Sequence, residues 1–220
     1  TLCRCEGQTK FFEEYNLGNK KRFLKLSKSP IKFFGKLSRD LIYNFIAKKI
    51  LPEKIINKNS IIVLSFFDDR NTSNGHLREE YFRNIVDKNN KVICIYKLTT
   101  PGFYFRGKKY IKLIENLEKN FDAVSEYNFI NFKMIYQSIF LTCCHFLKFL
   151  KFKFPYTLDR KLIKAIRFNH LIEIFDGTVY SLYLQNRLFS KIFINTPSIC
   201  LSVWENQPYV RILESIKKKI

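Results

Sequence analysis

The chain has 220 residues, 46% of them hydrophobic and 16% aromatic, and a net charge of +20. That apolar content excludes a chain disordered by composition, and the length allows one large domain or one and a half small ones. The charge favours an anionic partner such as nucleic acid, a phosphorylated substrate or an anionic membrane surface, although A/T-rich codons, which specify Lys, Ile, Asn and Phe, give the same excess.

Residues 1–20 show no signal-peptide core. The sequence opens on Thr1 and its one Met is Met134, so a protein lacking its native start is expected. From Phe23 to Ile50 one or two basic amphipathic helices are predicted. Phe33, Phe34, Leu37, Leu41, Ile42, Phe45 and Ile46 recur at three- and four-residue spacing, and Ser38 is placed to cap a second piece. The favoured reading of that stripe is packing on a core, with a membrane-surface helix as the alternative. We divide the chain into a basic helical region, 1–55, and a second domain, 56–220.

Leu51-Pro52 breaks the helical pattern and Asn57 to Ser60 reads as a loop. Ile61 to Phe67 is the strongest strand, apolar on both faces as a central parallel strand must be. Asp68-Asp69-Arg70 ends it, Asn71 to Gly75 turns, and His76 to Asp87 has helical spacing. Lys91 to Lys97 is a second strand, so a parallel strand–helix–strand unit is expected.

Further helices are predicted over Tyr110–Asn120, over Asn128–Lys153, and from Leu158 to Phe175 with Thr157 as its cap. Another follows from Thr178 to Phe189, after the break at Asp176-Gly177. The uncharged stretch Met134–Leu147 is shorter than the roughly 20 residues a membrane span needs. The last strand, Ile199 to Val203, delivers Trp204, Glu205, Asn206 and Gln207 to its carboxyl end, and Pro208 opens a basic amphipathic segment. The fold class expected is α/β, a Rossmann-like parallel sheet flanked by helices.

Standard chemical signatures are absent. Gly102 and Gly107-Lys108 have P-loop spacing, but Lys109 stands where a metal-binding hydroxyl belongs. No dinucleotide fingerprint, nucleophile elbow, zinc-protease motif or Asp-x-Asp pair occurs, so neither a metal nor a cofactor is expected. His76, His145 and His170 are scattered and read as structural or exposed. The six Cys residues show no Cys-x-x-Cys spacing and read as reduced thiols. An RNA-binding sheet would interleave aromatic and basic residues on its strands; these strands do not, which argues against nucleic acid.

Two polar clusters remain, each after a strong strand. Asp68, Asp69, Arg70 and His76 form the first. Asp69 suits a general base or hydroxyl ligand, and Arg70 suits a bidentate anion contact. Glu205, Asn206 and Gln207 form the second, a donor and acceptor set suited to sugar hydroxyls. Helix capping by Asn206 ahead of Pro208 is the plainer reading and is compatible with binding.

Glu205-Asn206-Gln207-Pro208-x-x-Arg211 resembles the Glu-Asn-Gln-x-Trp-Glu-basic element of bacterial capsule and O-antigen biosynthesis proteins of GT-B glycosyltransferase type. Ser65 to Arg70, followed by Asn74-Gly75 and Tyr81-Phe82, resembles their first strand and loop. Tyr209-Val210 stands where that family usually has Trp-Glu, which removes a second carboxylate. The resemblance implies the acceptor-handling N-terminal half of such an enzyme, with the nucleotide-sugar domain beyond residue 220. It further implies a nucleotide sugar and a glycan or lipid-linked acceptor as substrates, and work at the cytoplasmic face of the inner membrane. Asp69 and Glu205 would then serve the acceptor hydroxyl, with Asp68, Arg70, His76, Trp204, Asn206, Gln207 and Arg211 around it. A basic peripheral membrane or nucleic-acid-binding protein without chemistry of its own is the alternative.

Overall fold

A computed structural model describes residues 19–50, 60–67, 72–73, 76–77, 92–98, 123–154, 159–194 and 200–202. The elements in order are helix α1 (Asn19–Ile50), strands β1 (Ile61–Phe67), β2 (Thr72–Ser73), β3 (His76–Leu77), β4 (Val92–Leu98) and β5 (Ala123–Ser125), a 3-10 turn (Glu126–Asn128), helices α2 (Phe132–Lys151), α3 (Arg160–Phe175) and α4 (Thr178–Ile194), and strand β6 (Cys200–Ser202). The chain divides into two compact units. One is helical, Thr1–Ser38 with Tyr136–Leu184; the other carries the sheet, Arg39–Ile135 with Gln185–Ile220.

In the four-stranded sheet of this unit the strand order is β5-β4-β1-β6, and each pairing in it is parallel. This is an α/β fold with a parallel sheet and flanking helices. Burial explains the composition of the strands. Ile62, Val63 and Leu64 are consecutive and all buried, as are Cys94, Ile95 and Tyr96, so both faces of β1 and β4 lie inside. Ala47 of α1 and Leu188, Phe189, Ile192 and Phe193 of α4 are buried with them. The predicted strands at 61–67 and 91–97 are therefore present and pair in parallel. Residues 78–87 of the helix predicted over His76–Asp87, and the helix predicted over 110–120, lie outside the described residues.

Four expectations need correction. His76 and Leu77 are not the first turn of a helix; they form β3, antiparallel to β2 with Ser73 opposite His76. The intervening dipeptide, Asn74-Gly75, is the one two-residue hairpins favour most, and at His76 and Leu77 it outweighs the helical spacing. Second, Ser38 caps no second piece: of the one or two helices expected from Phe23 to Ile50, one forms, α1. It runs unbroken through Pro30, where the hydroxyls of Ser27 and Ser29 bond the carbonyls of Leu24 and Lys25.

Third, α2 starts at Phe132 rather than Asn128. Ser125 accepts from the Tyr127 amide and nucleates a 3-10 turn, and Asn131 then caps the helix by accepting from the Met134 amide at 2.8 Å. Fourth, the cap of α3 is Asp159, whose carboxylate accepts from the Leu162 amide at 3.2 Å, and not Thr157. A carboxylate at a helix start gains from both the free amides and the dipole.

In the helical unit the core is Ala165, Ile172 and Ile174 of α3 with Val179, Tyr180 and Leu184 of α4. Phe33 meets Tyr180 edge-on at 5.6 Å, and Phe146 meets Phe175 at 5.5 Å. Asp176-Gly177 turns the chain between α3 and α4, with Gly177 at a φ of +77°. Among the described residues no helix is long and apolar enough to cross a membrane.

Candidate functional site

The sheet fixes where a ligand would enter. From β1 the chain goes to β4 and β5 on one side, and β6 returns to the other. The order of strands therefore reverses between β1 and β6. In open α/β sheets ligands bind outside the carboxyl ends of the strands at such a reversal. The register pairs Ile62 with Cys200, Val63 with Leu201 and Leu64 with Ser202.

Along the chain Asp68 follows Leu64 by four residues, and Glu205 follows its partner Ser202 by three. The two strands that end next to each other are thus the two that carry the polar clusters. Asp68, Asp69, Arg70, Trp204, Glu205, Asn206, Gln207 and Arg211 themselves lie outside the described residues. His76 is described on β3, in the small two-stranded sheet.

The carboxyl end of β5 is built differently. It runs straight into a buried polar hub that the sequence did not mark. The Tyr127 hydroxyl donates to the Asp40 carboxylate at 2.9 Å, and Arg39 donates to the same oxygen at 2.9 Å. The Asn44 side-chain amide donates to the Ile130 carbonyl, and Lys191 donates to the Phe129 carbonyl at 3.2 Å. Asp40 and Asn44 are buried on α1, and Tyr43 packs edge-on to Tyr127 at 5.3 Å. A carboxylate this enclosed and this well bonded orients its neighbours. Its work is to clamp the end of β5 onto α1.

A second cluster lies within the helical unit, and here sequence reading missed a contact. His145 of α2 and His170 of α3 share a hydrogen bond, Nε2 to Nε2 at 2.7 Å. His145 Nδ1 lies 3.1 Å from the Tyr183 hydroxyl of α4, and His170 Nδ1 lies 3.4 Å from a Glu173 carboxylate oxygen. A carboxylate favours the proton on His170 Nδ1, which makes the neutral His170 Nε2 an acceptor. His145 Nε2–H then donates to it, and the Tyr183 O–H donates to His145 Nδ1. One arrangement of protons satisfies the whole chain. The residues stand 25 positions apart on different helices, and no spacing rule reaches that far.

Burial, then the neighbouring His170 and Lys148, lower the His145 pKa, with Glu173 opposing. Burial and Cys144 raise that of Tyr183. A His whose folded pKa lies below its unfolded value binds fewer protons when folded. Its site is at full strength above the unfolded value of about 6.5, and stability falls as pH drops through that value toward the folded pKa. The melting temperature should fall between pH 7.5 and pH 5, and fall less in His145→Gln. Equal falls in the two proteins would remove His145 from the cause.

Cys94, Cys143, Cys144 and Cys200 are free, and burial pushes the Cys200 thiol up to about 12. Among the described residues no three His, Cys, Asp or Glu side chains are grouped to hold a metal ion. Comparison with family models, with curated proteins and with solved structures gives no match to this chain.

Proposed function

We propose that this chain is the acceptor-handling, Rossmann-like half of a GT-B-like glycosyltransferase for surface-polysaccharide synthesis, working with a nucleotide-sugar domain outside these 220 residues. The observation that carries the reading is the parallel pairing of β1 with β6 at the reversal of strand order. The two carboxyl ends that meet there are the ones followed in sequence by Asp68-Asp69-Arg70 and by Trp204-Glu205-Asn206-Gln207. A sugar acceptor needs a carboxylate to take its hydroxyl proton, amides to fix neighbouring hydroxyls, and a cation for an anionic group. Those two segments supply all three.

In the proposed reaction the acceptor oxygen attacks the anomeric carbon of the donor sugar. The bond from that carbon to the nucleotide phosphate breaks, and the hydroxyl proton passes to Glu205 or Asp69. Asn206 and Gln207 orient the acceptor, Trp204 offers a stacking face, and Arg70 and Arg211 hold anionic groups. His76 completes the rim. The substrates are a nucleotide sugar and a glycan or lipid-linked acceptor, at the cytoplasmic face of the inner membrane. The doubly buried strands β1 and β4 favour this reading over an RNA-binding sheet, which would expose its stacking residues.

The test is nucleotide release from a panel of UDP-, GDP- and CMP-sugars by the full-length gene product. Loss of a positioned general base costs roughly 10²–10⁴ in rate. Glu205→Gln or Asp69→Asn should therefore lose at least a hundredfold in turnover with the circular dichroism spectrum intact. If both variants turn over like the parent, neither carboxylate is the base.

A further inference from the structure

Helix α1 is inside out. Its buried side carries Ser29, Asp40, Tyr43, Asn44 and Ala47. Phe33 packs inward on Tyr180, but several other large apolar residues face away: Phe23 is 75% exposed, Ile31 72%, Phe34 63% and Phe45 62%. Phe23, Phe34, Leu41 and Phe45 follow one another at 11, 7 and 4 residues, close to whole helical turns, so they share one face. An ordinary surface helix turns that stripe inward. Helix α2 repeats the inversion, with Ser138 and Thr142 buried while Tyr136, Phe140, Leu147 and Leu150 are exposed. Hydroxyls inward and apolar side chains outward is the pattern of helices whose outer face meets lipid rather than water.

Charge selects the occupant for α1. Lys and Arg recur along it, and its single acidic residue, Asp40, is buried. The exposed Lys21, Lys28 and Lys32 lie within about one helical step of Ile31 and Ile42, which border the Phe23, Phe34 and Phe45 stripe. A second copy would set these cations against themselves. RNA would meet the lysines and leave Ile31, Leu41 and Ile42 uncovered. An anionic bilayer matches both features at once, phosphates for the lysines and acyl chains for the stripe.

We propose that α1 docks this protein on an anionic lipid bilayer, lying in the plane of the interface with Phe23, Ile31, Phe34, Ile42 and Phe45 inserted and Lys21, Lys28 and Lys32 on the headgroups. The inference does not rest on the glycosyl-transfer reading. Vesicle binding reads α1, whereas nucleotide release by Glu205→Gln reads the sheet edge, so either can fail alone.

The experiment is flotation of the 220-residue chain with vesicles of phosphatidylcholine and phosphatidylserine at three to one, and with phosphatidylcholine alone. The chain should float with the anionic vesicles and stay behind with the neutral ones. Phe23→Ser/Phe34→Ser/Phe45→Ser keeps the net charge and should weaken binding at least tenfold. Lys28→Gln/Lys32→Gln should weaken it on anionic vesicles too. If the triple variant fails to fold, Phe34→Ser alone, at an exposed position, must still lower binding. Triple-variant binding equal to the parent's would mean charge alone holds the protein and overturns the proposal. So would a parent chain that does not float but sediments as a dimer that the same substitutions dissociate.

Discussion

Tyr127→Ala should cost about 3–5 kcal/mol, the range for removing a large buried aromatic. Total stabilities run to about 5–15 kcal/mol, so the sheet unit of this variant should be near its folding limit. Tyr127 is 2% exposed, its ring lies edge-on to Tyr43, and its hydroxyl reaches the buried Asp40 carboxylate. Truncation opens a cavity and takes a donor from an enclosed charge, two penalties of different origin. Tyr127→Phe separates them, because it keeps the ring and should cost about 1–3 kcal/mol for the polar group left behind. Denaturant titration of both variants reads the difference. A loss below about 1 kcal/mol in Tyr127→Ala would mean that the hub does not hold the end of β5 to α1. Asp40→Leu combined with Tyr127→Phe should cost less than the two singles added, because the buried carboxylate and its buried donor leave together, and Arg39 is the more exposed partner of its ion pair.

What the sequence disclosed follows from the range of each interaction. Strands β1 and β4 were legible because burial on both faces demands unbroken runs such as Ile61-Ile62-Val63-Leu64. Strand β5 was not, since Ala123-Val124-Ser125 is too short to show a period. The apolar stripe of α1 was legible, but its direction was not. Periodicity says that two faces differ; which face turns inward depends on partners such as Tyr127 and Ile130, which lie 87 and 86 residues from the α1 side chains they hold. The contact between His145 and His170 was hidden for the same reason.

The candidate site divides the same way. That two strands end in polar clusters is local and can be read from the chain. That those two strands are neighbours, with the order of the sheet reversing between them, is a property of topology. The long excursion through α2, α3 and α4 separates β5 from β6 in sequence, and pairing with β1 puts β6 at the opposite edge of the sheet from β5. The adjacency of β1 and β6 is what the proposed site rests on, since ligands of open α/β sheets bind at such a reversal of strand order.

Gly177→Ala should cost about 2–5 kcal/mol, from two causes that can be told apart. With φ at +77°, Gly177 adopts the left-handed conformation, which costs an L-residue about 1–2 kcal/mol. An added Cβ would also lie 2.8 Å from Phe33 Cδ2 and 3.3 Å from the Phe33 Cα, and such overpacking typically costs about 1–3 kcal/mol. Phe33 cannot yield freely, because its ring is set edge-on against the fully buried Tyr180. The corner is also held on both sides. Asp176 accepts from the amide and hydroxyl of Thr178, and the Gly177 carbonyl accepts from the amide and hydroxyl of Ser181. Asn tolerates the left-handed region better than Ala, so Gly177→Asn removes part of the backbone cost and none of the steric cost. A denaturant midpoint for Gly177→Asn close to that of Gly177→Ala would assign the loss to Phe33. A midpoint close to the parent's would assign it to the backbone. If Gly177→Ala itself left the midpoint unmoved, the turn between α3 and α4 could not have the geometry described.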